Sequence, residues 1–357
     1  MNINFNLETE LNIFKENLSV FPEKKDYASL YDAHFKPSFN KFVHPEVKTK
    51  ILEIEKTGYF NDHGVDHIKM VIERASWLMS CMNVSLEKKD GFFYISPYET
   101  FILLMSIHLH DTGHLIASRK EHARAGKEIL AQFDSGNILS IAEKRVIGNI
   151  AQSHGGKKDP IGKLEPEISL SHQKIRPQLL AAILRLGDEL AEDKTRASNF
   201  LLNTKNMERT SEIFHLYSAS LDSLDLSNNE ISLEFCFLDK ISIKKYPKII
   251  DFAEKEVYLI DEIYERTLKT FTEALYCNRF LPSECRFNRV KVNILILNEK
   301  DHEQIISIRY ELKELLYPTV VMNNIYDICE TLKAGDIEKN GQYICDEVKK
   351  IMENEKL

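Results

Sequence analysis

Ser106-Ile-His-Leu-His-Asp-Thr-Gly-His114 is the stretch of sequence that decides the fold. Residues Phe101 to Leu109 are almost all hydrophobic, which predicts a buried helix ending at the adjacent pair His110 and Asp111. Burying a carboxylate beside an imidazole costs on the order of several kcal/mol unless a partner compensates the charge. A divalent metal ion is a common partner for such groups. The pair is therefore a candidate metal site.

The chain on either side of this stretch predicts further helices. Apolar residues from Ile68 to Met82 recur at the i, i+3, i+4, i+7 spacing of one helix face, and Gly64 and Asp66 precede them as turn and N-cap. Paired glycines follow His154, where they end a downstream helix. Besides 68–82, the predicted helices lie within residues 1 to about 60 and over 97–110, 120–133, 141–153 and 177–188.

Five successive predicted helices each carry one or two metal-competent side chains beside an apolar face. A single histidine in such a place is more often a hydrogen-bonded core residue than a ligand. A whole set near helix ends and glycine breaks is hard to explain as separate core residues. Mixed imidazole and carboxylate ligands favour Mn, Fe, Co, Ni or Zn over Ca and require no cysteine. The candidate metal ligands are His67, His110, Asp111, His122, His154 and Asp188.

The sequence after about residue 205 predicts β structure. Glu212 to Ser220 and Ile231 to Leu238 are rich in β-branched and aromatic residues, and Asn228-Asn229 is a turn signal between them, so we expect a short antiparallel sheet. A long amphipathic helix follows over 248–277. The alternating run from Val290 predicts a strand, followed by a helix from Glu303 to Leu316 and another near the end of the chain.

These patterns predict a mainly α protein made of four segments. A helical bundle carries the metal ligands, a short antiparallel β insertion follows it, and a small α/β appendage ends the chain. The predicted segments are an N-terminal helical segment (1–54), the metal-binding core (55–204), strands with a long helix that complete the domain (205–287) and the appendage (288–357).

Composition restricts the classes of partner and the compartment. A net charge of −8 argues against general binding of duplex nucleic acid or anionic membrane. The six cysteines have no CxxC spacing and suit reduced thiols in a cytoplasmic protein. The N-terminus has no signal-peptide pattern, and no apolar run approaches the ~20 residues that a membrane span needs. We expect a cytoplasmic protein with a small-molecule substrate, and leave open whether it forms a homo-oligomer.

The ligand pattern resembles that of the HD superfamily of metal-dependent phosphohydrolases. That family has a first histidine, an adjacent His-Asp pair and a distant aspartate, which match His67, His110 with Asp111, and Asp188. The resemblance covers roughly residues 55 to 200 and includes the segments that flank each ligand. It implies an HD-type helical bundle.

Members of the superfamily that bind two metals add two histidines between the His-Asp pair and the last aspartate. His122, in Glu121-His-Ala-Arg-Ala-Gly-Lys, and His154 look like these residues, with Asp111 as the bridging carboxylate. The resemblance thus implies one or two divalent ions, and a metal-activated water as the nucleophile.

Some motifs depart from the better-known branches of the superfamily. The branch that cleaves cyclic di-GMP usually has a lysine where this chain has His114, and it carries a Gly-Tyr-Pro motif that is missing here. His-Asp-x-Gly-His is closer to deoxynucleotide triphosphohydrolases. His63-Gly-Val-Asp-His67 and the run from Asp188 to Arg196 resemble a less characterised bacterial branch. The resemblance therefore indicates the chemistry more firmly than the substrate.

The resemblance implies a phosphohydrolase or phosphodiesterase that acts on a nucleotide or on a cyclic or oligonucleotide phosphoester. Asp111 would be central to catalysis, and His114 or His63 would give a proton to the leaving group. The alternative is a regulatory or nucleotide-sensing binding module that keeps the HD scaffold and turns over little substrate. Candidate phosphate contacts are Lys157, Arg185 and Arg196.

Overall fold

The computed structural model describes residues 5–55, 64–118, 121–192, 209–250, 253–314 and 324–354. Over these residues the protein is mainly α-helical with short β elements, which confirms the predicted fold class. None of the helices in this part of the chain is both long enough and apolar enough to cross a membrane. The chain forms two compact units, one drawn from 1–54, 62–191 and 277–285 and the other from 55–61, 192–276 and 286–357.

The described part of the first unit is built from helices, with two small pairs of strands between them. Residues 27–55 are helical throughout and include two π-helical segments, Tyr31–Phe35 and Phe39–Val43. The helices are α1 (Leu7–Asn12), α2 (Tyr27–Leu30), α3 (Lys36–Ser38), α4 (His44–Glu55), α5 (Val65–Cys81), α6 (Pro97–Leu109), α7 (His122–Phe133), α8 (Ile141–Gln152) and α9 (Pro177–Glu189). The strands are β1 (Val84–Ser85), β2 (Phe93–Tyr94), β3 (Ile168–Leu170) and β4 (Gln173–Ile175).

The central helix of this unit is α6, every residue of which is buried. It begins at a capping box, in which the Ser96 hydroxyl accepts from the Glu99 backbone N–H and the Glu99 carboxylate accepts from the Ser96 N–H. Pro97 occupies the first helical position, where its missing N–H costs no hydrogen bond. Helices α5, α7, α8 and α9 contact α6. The predicted helices of this region are thereby confirmed.

The second unit is organised around a four-stranded sheet. Its strand order is β10-β9-β6-β5, with β6 and β9 parallel and the two outer pairs antiparallel. Buried residues alternate along the two central strands, as a sheet with one covered face requires. The elements are α10 (Glu212–Ser220), β5 (Leu221–Ser227), β6 (Glu230–Leu238), α11 (Asp239–Ser242), β7 (Lys245–Ile250), β8 (Ala253–Tyr258), α12 (Leu259–Asn278), β9 (Arg289–Leu297), β10 (Gln304–Lys313), α13 (Ile325–Ile328), β11 (Lys333–Ala334), β12 (Ile337–Glu338) and α14 (Gly341–Asn354).

The antiparallel pair around Asn228-Asn229 is present, but one of its predicted strands is wrong. Both asparagines have positive φ, as a two-residue hairpin turn requires, and they join β5 to β6. Glu212–Ser220, predicted as a strand, is the helix α10. A short run that is buried almost all round has no clear periodicity, so its β-branched and aromatic content misled the assignment.

Two further predictions in this unit are wrong. The predicted helix over 248–277 begins only at Leu259, because Lys245–Ile250 and Ala253–Tyr258 form an antiparallel hairpin. The predicted helix from Glu303 to Leu316 is, over its described part, the strand Gln304–Lys313, which pairs with β9 along most of its length. The predicted strand near Val290 and the terminal helix are confirmed. The four-segment division stays a prediction, although β9 and β10 share a sheet with β5 and β6.

Candidate metal centre

The end of α6 sets the position of the His110-Asp111 pair. His110 is the C-cap of the helix, and Asp111 precedes a tight turn over Thr112–Leu115. The Nδ1 atom of His110 lies 2.7 Å from the carbonyl oxygen of Ile107. This contact makes Nδ1 the protonated nitrogen and leaves Nε2 free to act as a ligand. Both side chains are buried.

A first group of candidate ligands forms where α5 and α9 meet the end of α6. The Nε2 atom of His67 lies 3.2 Å from Oδ1 of Asp188 and 3.6 Å from Oδ2 of Asp111. The Nε2 atom of His110 lies 3.2 Å from the same Asp111 oxygen and 3.6 Å from the same Asp188 oxygen. Two imidazoles and two carboxylates thus converge on one point.

Close packing of α5 against α9 allows this convergence. A Cβ atom on Gly187 would lie 3.3 Å from the backbone nitrogen of Ala75, closer than ordinary van der Waals contact. Glycine at this position therefore lets the two helices approach. His67 lies in the first turn of α5 and Asp188 in the last turn of α9, so the close approach brings them together.

A second group of candidate ligands lies on the other side of Asp111. Nε2 of His122 and Nε2 of His154 lie 3.4 Å and 3.6 Å from Oδ1 of Asp111, and 3.1 Å from each other. The Nδ1 atom of His154 lies 2.6 Å from the carbonyl oxygen of Ala151, which orients its Nε2 toward the group. Asp111 therefore faces the first group with one oxygen and the second with the other.

Gly113 brings the second group within reach of Asp111. A Cβ atom at this position would overlap the carbonyl oxygen of His122 and lie 2.9 Å from the backbone nitrogen of Gly126. The turn after α6 can therefore contact the first turn of α7 only without a side chain. His122 is the first residue of α7, so this contact fixes the position of its backbone and hence of its imidazole.

The charges in the centre are strongly coupled. Burial alone would lower the pKa of His110, but the Asp111 and Asp188 carboxylates outweigh it and raise the pKa well above its ordinary value. Burial would raise the pKa of Asp188, but His110 and His67 hold it well below its usual range. Burial, followed by the charge of His110, lowers the pKa of His154 to about 4. Asp188 is therefore ionised and His154 is neutral, which are the forms that bind metal, whereas His110 holds a proton that a bound cation would displace.

The donor set fits divalent metal ions. Each of the two groups, His67 with His110 and Asp111, and Asp111 with His122 and His154, has its ligand atoms within 4.8 Å of one another. The Nε2 atom of His110 is buried and faces the Asp111 and Asp188 carboxylates at 3.2 Å and 3.6 Å. A divalent cation would take the place of the proton there and compensate the charge of the carboxylates.

The other predicted site residues occupy different environments. The His114 ring is buried and stacks on the His122 ring, with centroids 4.0 Å apart and an interplanar angle of 9°. Lys157 is exposed two residues after Gly155. His63 and Arg196 lie outside the described residues.

Arg185 holds the turn that carries His154. Its guanidinium donates to the carbonyl oxygens of Ser153 at 3.4 Å and Gly156 at 3.3 Å. The sequence contains a signal for this contact, because an arginine within the otherwise apolar stripe of α9 must find acceptors when it is buried. Its predicted contact with substrate phosphate stays a prediction.

The sequence interpretation missed a buried pair of imidazoles beside the centre. His44 begins α4, and its Nε2 lies 2.9 Å from Nδ1 of His108. Burial, followed by the nearby His110, lowers the pKa of His44 to about 3, and burial, followed by His44, holds the pKa of His108 well below its usual value. Both imidazoles are therefore neutral. His44 follows residues with no distinctive motif, so no sequence signal marked it.

One family model matches the chain. It is described as HD-CE, and it matches residues 57–266 of the 357, which include all six candidate ligands. No curated protein and no solved structure matches the chain.

Proposed function

The chain belongs to the HD-CE family, and from this premise we propose that it is a metal-dependent phosphohydrolase or phosphodiesterase. The HD-type family match and the buried groups of His and Asp that could hold metal ions support this proposal. The proposed substrate is a nucleotide, or a cyclic or oligonucleotide phosphoester. The proposed cofactors are two divalent transition-metal ions.

The observation that carries the proposal is the position of Asp111 between the two ligand groups. One of its oxygens faces His67 and His110, and the other faces His122 and His154, at 3.2–3.6 Å in every case. A carboxylate shared in this way is the feature that a two-metal hydrolytic centre requires. A scaffold retained only for binding would not need all six ligands to converge.

The residues around the centre suit this chemistry. When bound, the ions would supply positive charge to the phosphoryl oxygens and acidify a water molecule. The backbone carbonyls of Ile107 and Ala151 keep His110 and His154 in the tautomer that directs Nε2 toward the centre. The side chain of Asp188 keeps 27% of its surface exposed, whereas that of His67 keeps 1%.

We assign proton donation to the leaving group to His114. Its ring is buried in contact with His122, and a histidine that carries a proton is a common general acid for a leaving alkoxide. His63 is the second candidate donor. Lys157 and Arg196 are proposed to contact substrate phosphate, with Arg185 acting on the turn that carries His154.

The test compares Asp111→Asn with a matched control, Asp66→Asn. Asp66 lies next to a ligand in sequence but is exposed and pairs with Lys69. We expect the wild-type protein and the control to bind two transition-metal ions and to hydrolyse bis-p-nitrophenyl phosphate. Asp111→Asn should lose both properties while it stays folded by circular dichroism.

The result also separates the proposal from its alternatives. Full hydrolysis by Asp111→Asn would refute the assignment. One bound ion per chain, unchanged in His154→Ala, would reduce the centre to a single metal. Metal binding without hydrolysis across dNTPs, NTPs, cyclic mono- and dinucleotides, dinucleoside polyphosphates and short oligonucleotides would favour the regulatory, nucleotide-sensing module.

A further inference from the structure

A chain of four buried or half-buried side chains connects the N-terminal segment to α6. The hydroxyl of Tyr31 lies 2.6 Å from Oε1 of Glu8 and 3.0 Å from Nε2 of His108. On the other side of its ring, Nδ1 of His108 lies 2.9 Å from Nε2 of His44. Three of these four residues precede the part of the chain that the family model matches.

The chemistry of the groups fixes the direction of every hydrogen bond in this chain. The Glu8 carboxylate, which also pairs with Lys36 at 2.7 Å, can only accept, so the Tyr31 hydroxyl donates to it. The Tyr31 oxygen then accepts from Nε2–H of His108. The Nδ1 atom of this neutral imidazole carries no hydrogen and accepts from Nε2–H of His44. One arrangement of protons satisfies all three bonds.

Aromatic packing holds the two imidazoles in place. The ring of Phe39 stacks on His44 with centroids 5.6 Å apart and on His108 with centroids 5.2 Å apart, at interplanar angles of 20° and 23°. All three side chains are buried. The hydrogen bonds and the stacking together leave each ring one orientation.

These hydrogen-bonded side chains contact the end of α6, where the helix has few other directional contacts. Apolar contacts around α6 favour burial but do not fix its rotation about its own axis. In its first turn, Tyr98 donates to Glu143 and Glu99 accepts from Arg176. Near its other end, the contact of Ser106 with the Ile147 carbonyl is long, at 3.3 Å. Among the described residues, the shortest side-chain hydrogen bonds from this end of α6 to other elements are those of His108.

We propose that Tyr31, His44 and Glu8 are positioning residues for the metal centre. Through His108 they fix the rotation of the last turn of α6 about the helix axis. This rotation sets the directions of the His110 and Asp111 side chains, two and three residues later. The inference rests on the proposed metal centre. It makes the N-terminal segment part of that centre, although none of its residues is a ligand.

The test measures Co²⁺ binding to the full chain by titration and by its visible absorption spectrum, without any substrate. Tyr31→Phe removes the hydroxyl that links Glu8 to His108. Tyr27→Phe is the matched control, since Tyr27 is also buried, lies one helical turn away and donates to a buried carboxylate, that of Glu143, at 2.5 Å. Thermal unfolding of each variant gives the loss of stability.

We expect Tyr31→Phe to bind Co²⁺ about tenfold more weakly and with a changed spectrum, because groups that orient ligands typically affect metal affinity by about 10–100-fold. Tyr27→Phe should lose similar stability and keep wild-type Co²⁺ binding. Glu8→Ala, near the surface, removes the terminal acceptor without a core cavity and should act in the same direction. Glu8→Gln keeps an acceptor oxygen and should restore wild-type binding.

Each outcome is decisive. Wild-type affinity and spectrum in both Tyr31→Phe and Glu8→Ala would overturn the positioning role while leaving the metal centre intact. Equal weakening in Tyr27→Phe would also overturn it, because general destabilisation would then explain the effect. Absence of Co²⁺ binding by the wild-type chain would overturn the metal centre itself, and with it the positioning role.

Discussion

Replacing Gly113 by alanine should selectively disrupt the second ligand group. The added Cβ would lie 2.7 Å from the carbonyl carbon of His122 and 2.9 Å from the nitrogen of Gly126. Both are backbone atoms in the first turns of α7, so no side-chain rotation can relieve the overlap. Either the turn after Asp111 or the start of α7 must move.

The size of the movement follows from these distances. Ordinary van der Waals contact with a Cβ begins at 3.4 Å, so the His122 carbonyl carbon must retreat by at least 0.7 Å, the difference between 3.4 and 2.7 Å. Metal–ligand distances tolerate about 0.2 Å. The displacement is more than three times that tolerance. Overpacking of this kind also lowers the free energy of unfolding by about 1–3 kcal/mol.

The assay is metal content per chain together with a two-site Co²⁺ titration. Gly113→Ala should bind one ion with affinity close to that of the wild type, at the group of His67, and lose about 10–100-fold in affinity for the second ion. Gly136→Ala is the control, because a Cβ there meets no atom within 4 Å. Two ions bound at wild-type affinity by Gly113→Ala would refute the argument that this glycine sets the position of His122.

Two further predictions concern the surroundings of the centre. Arg185→Ala should bind the second ion about tenfold more weakly than the wild type, because the turn that carries His154 loses its contacts with the guanidinium. Arg185→Lys should restore only part of this affinity. Equal affinities for the second ion in the wild type and both variants would contradict this role of Arg185. The folded-state pKa of His44, about 3, lies below its ordinary 6.5, so between these values the unfolded chain binds a proton that the folded chain does not. Stability should therefore fall as pH drops from 6.5, by up to about 1.4 kcal/mol per unit. Urea unfolding at pH 7 and pH 5 should show a smaller fall in His44→Asn than in the wild type.

Periodicity was sufficient to locate the helices that carry the ligands. The apolar face of α5, the continuous apolar run of α6 and the stripe of α9 each predict their helix from local sequence alone. The candidate ligands stand at the ends of these elements, where glycine and polar residues mark the boundary. Their convergence could be predicted only from the resemblance to a known pattern, because spacing along the chain says nothing about distances between helices.

The details of the centre depend on contacts between backbones. Two close approaches between backbones, that of α5 to α9 and that of the turn after α6 to α7, determine which oxygen of Asp111 faces each group. Gly187 and Gly113 permit these approaches, yet in the sequence each is only a glycine near a helix end. Arg185 and His44 likewise take their roles from residues distant in sequence.

The strand β10 shows why the β region was predicted less well. Ile308, Tyr310 and Leu312 are buried and alternate with more exposed residues, which is a strand pattern. The same stretch also contains apolar residues at helical spacing, and its length is compatible with either a helix or a strand. Pairing with β9 makes it a strand. The hydroxyl of Tyr310 also lies 2.7 Å from the Thr267 hydroxyl of α12.

The parallel pairing of β6 with β9 has a consequence for folding. Glu230 to Leu238 pairs in register with Arg289 to Leu297, so the sheet cannot close until about fifty intervening residues have been synthesised and arranged. Non-local pairings of this kind slow folding. A nascent chain that ends before Arg289 would expose β6 as an unpaired edge, the kind of surface on which chains aggregate. Removing residues 288–357 should therefore leave an aggregation-prone chain and not a shortened, folded protein.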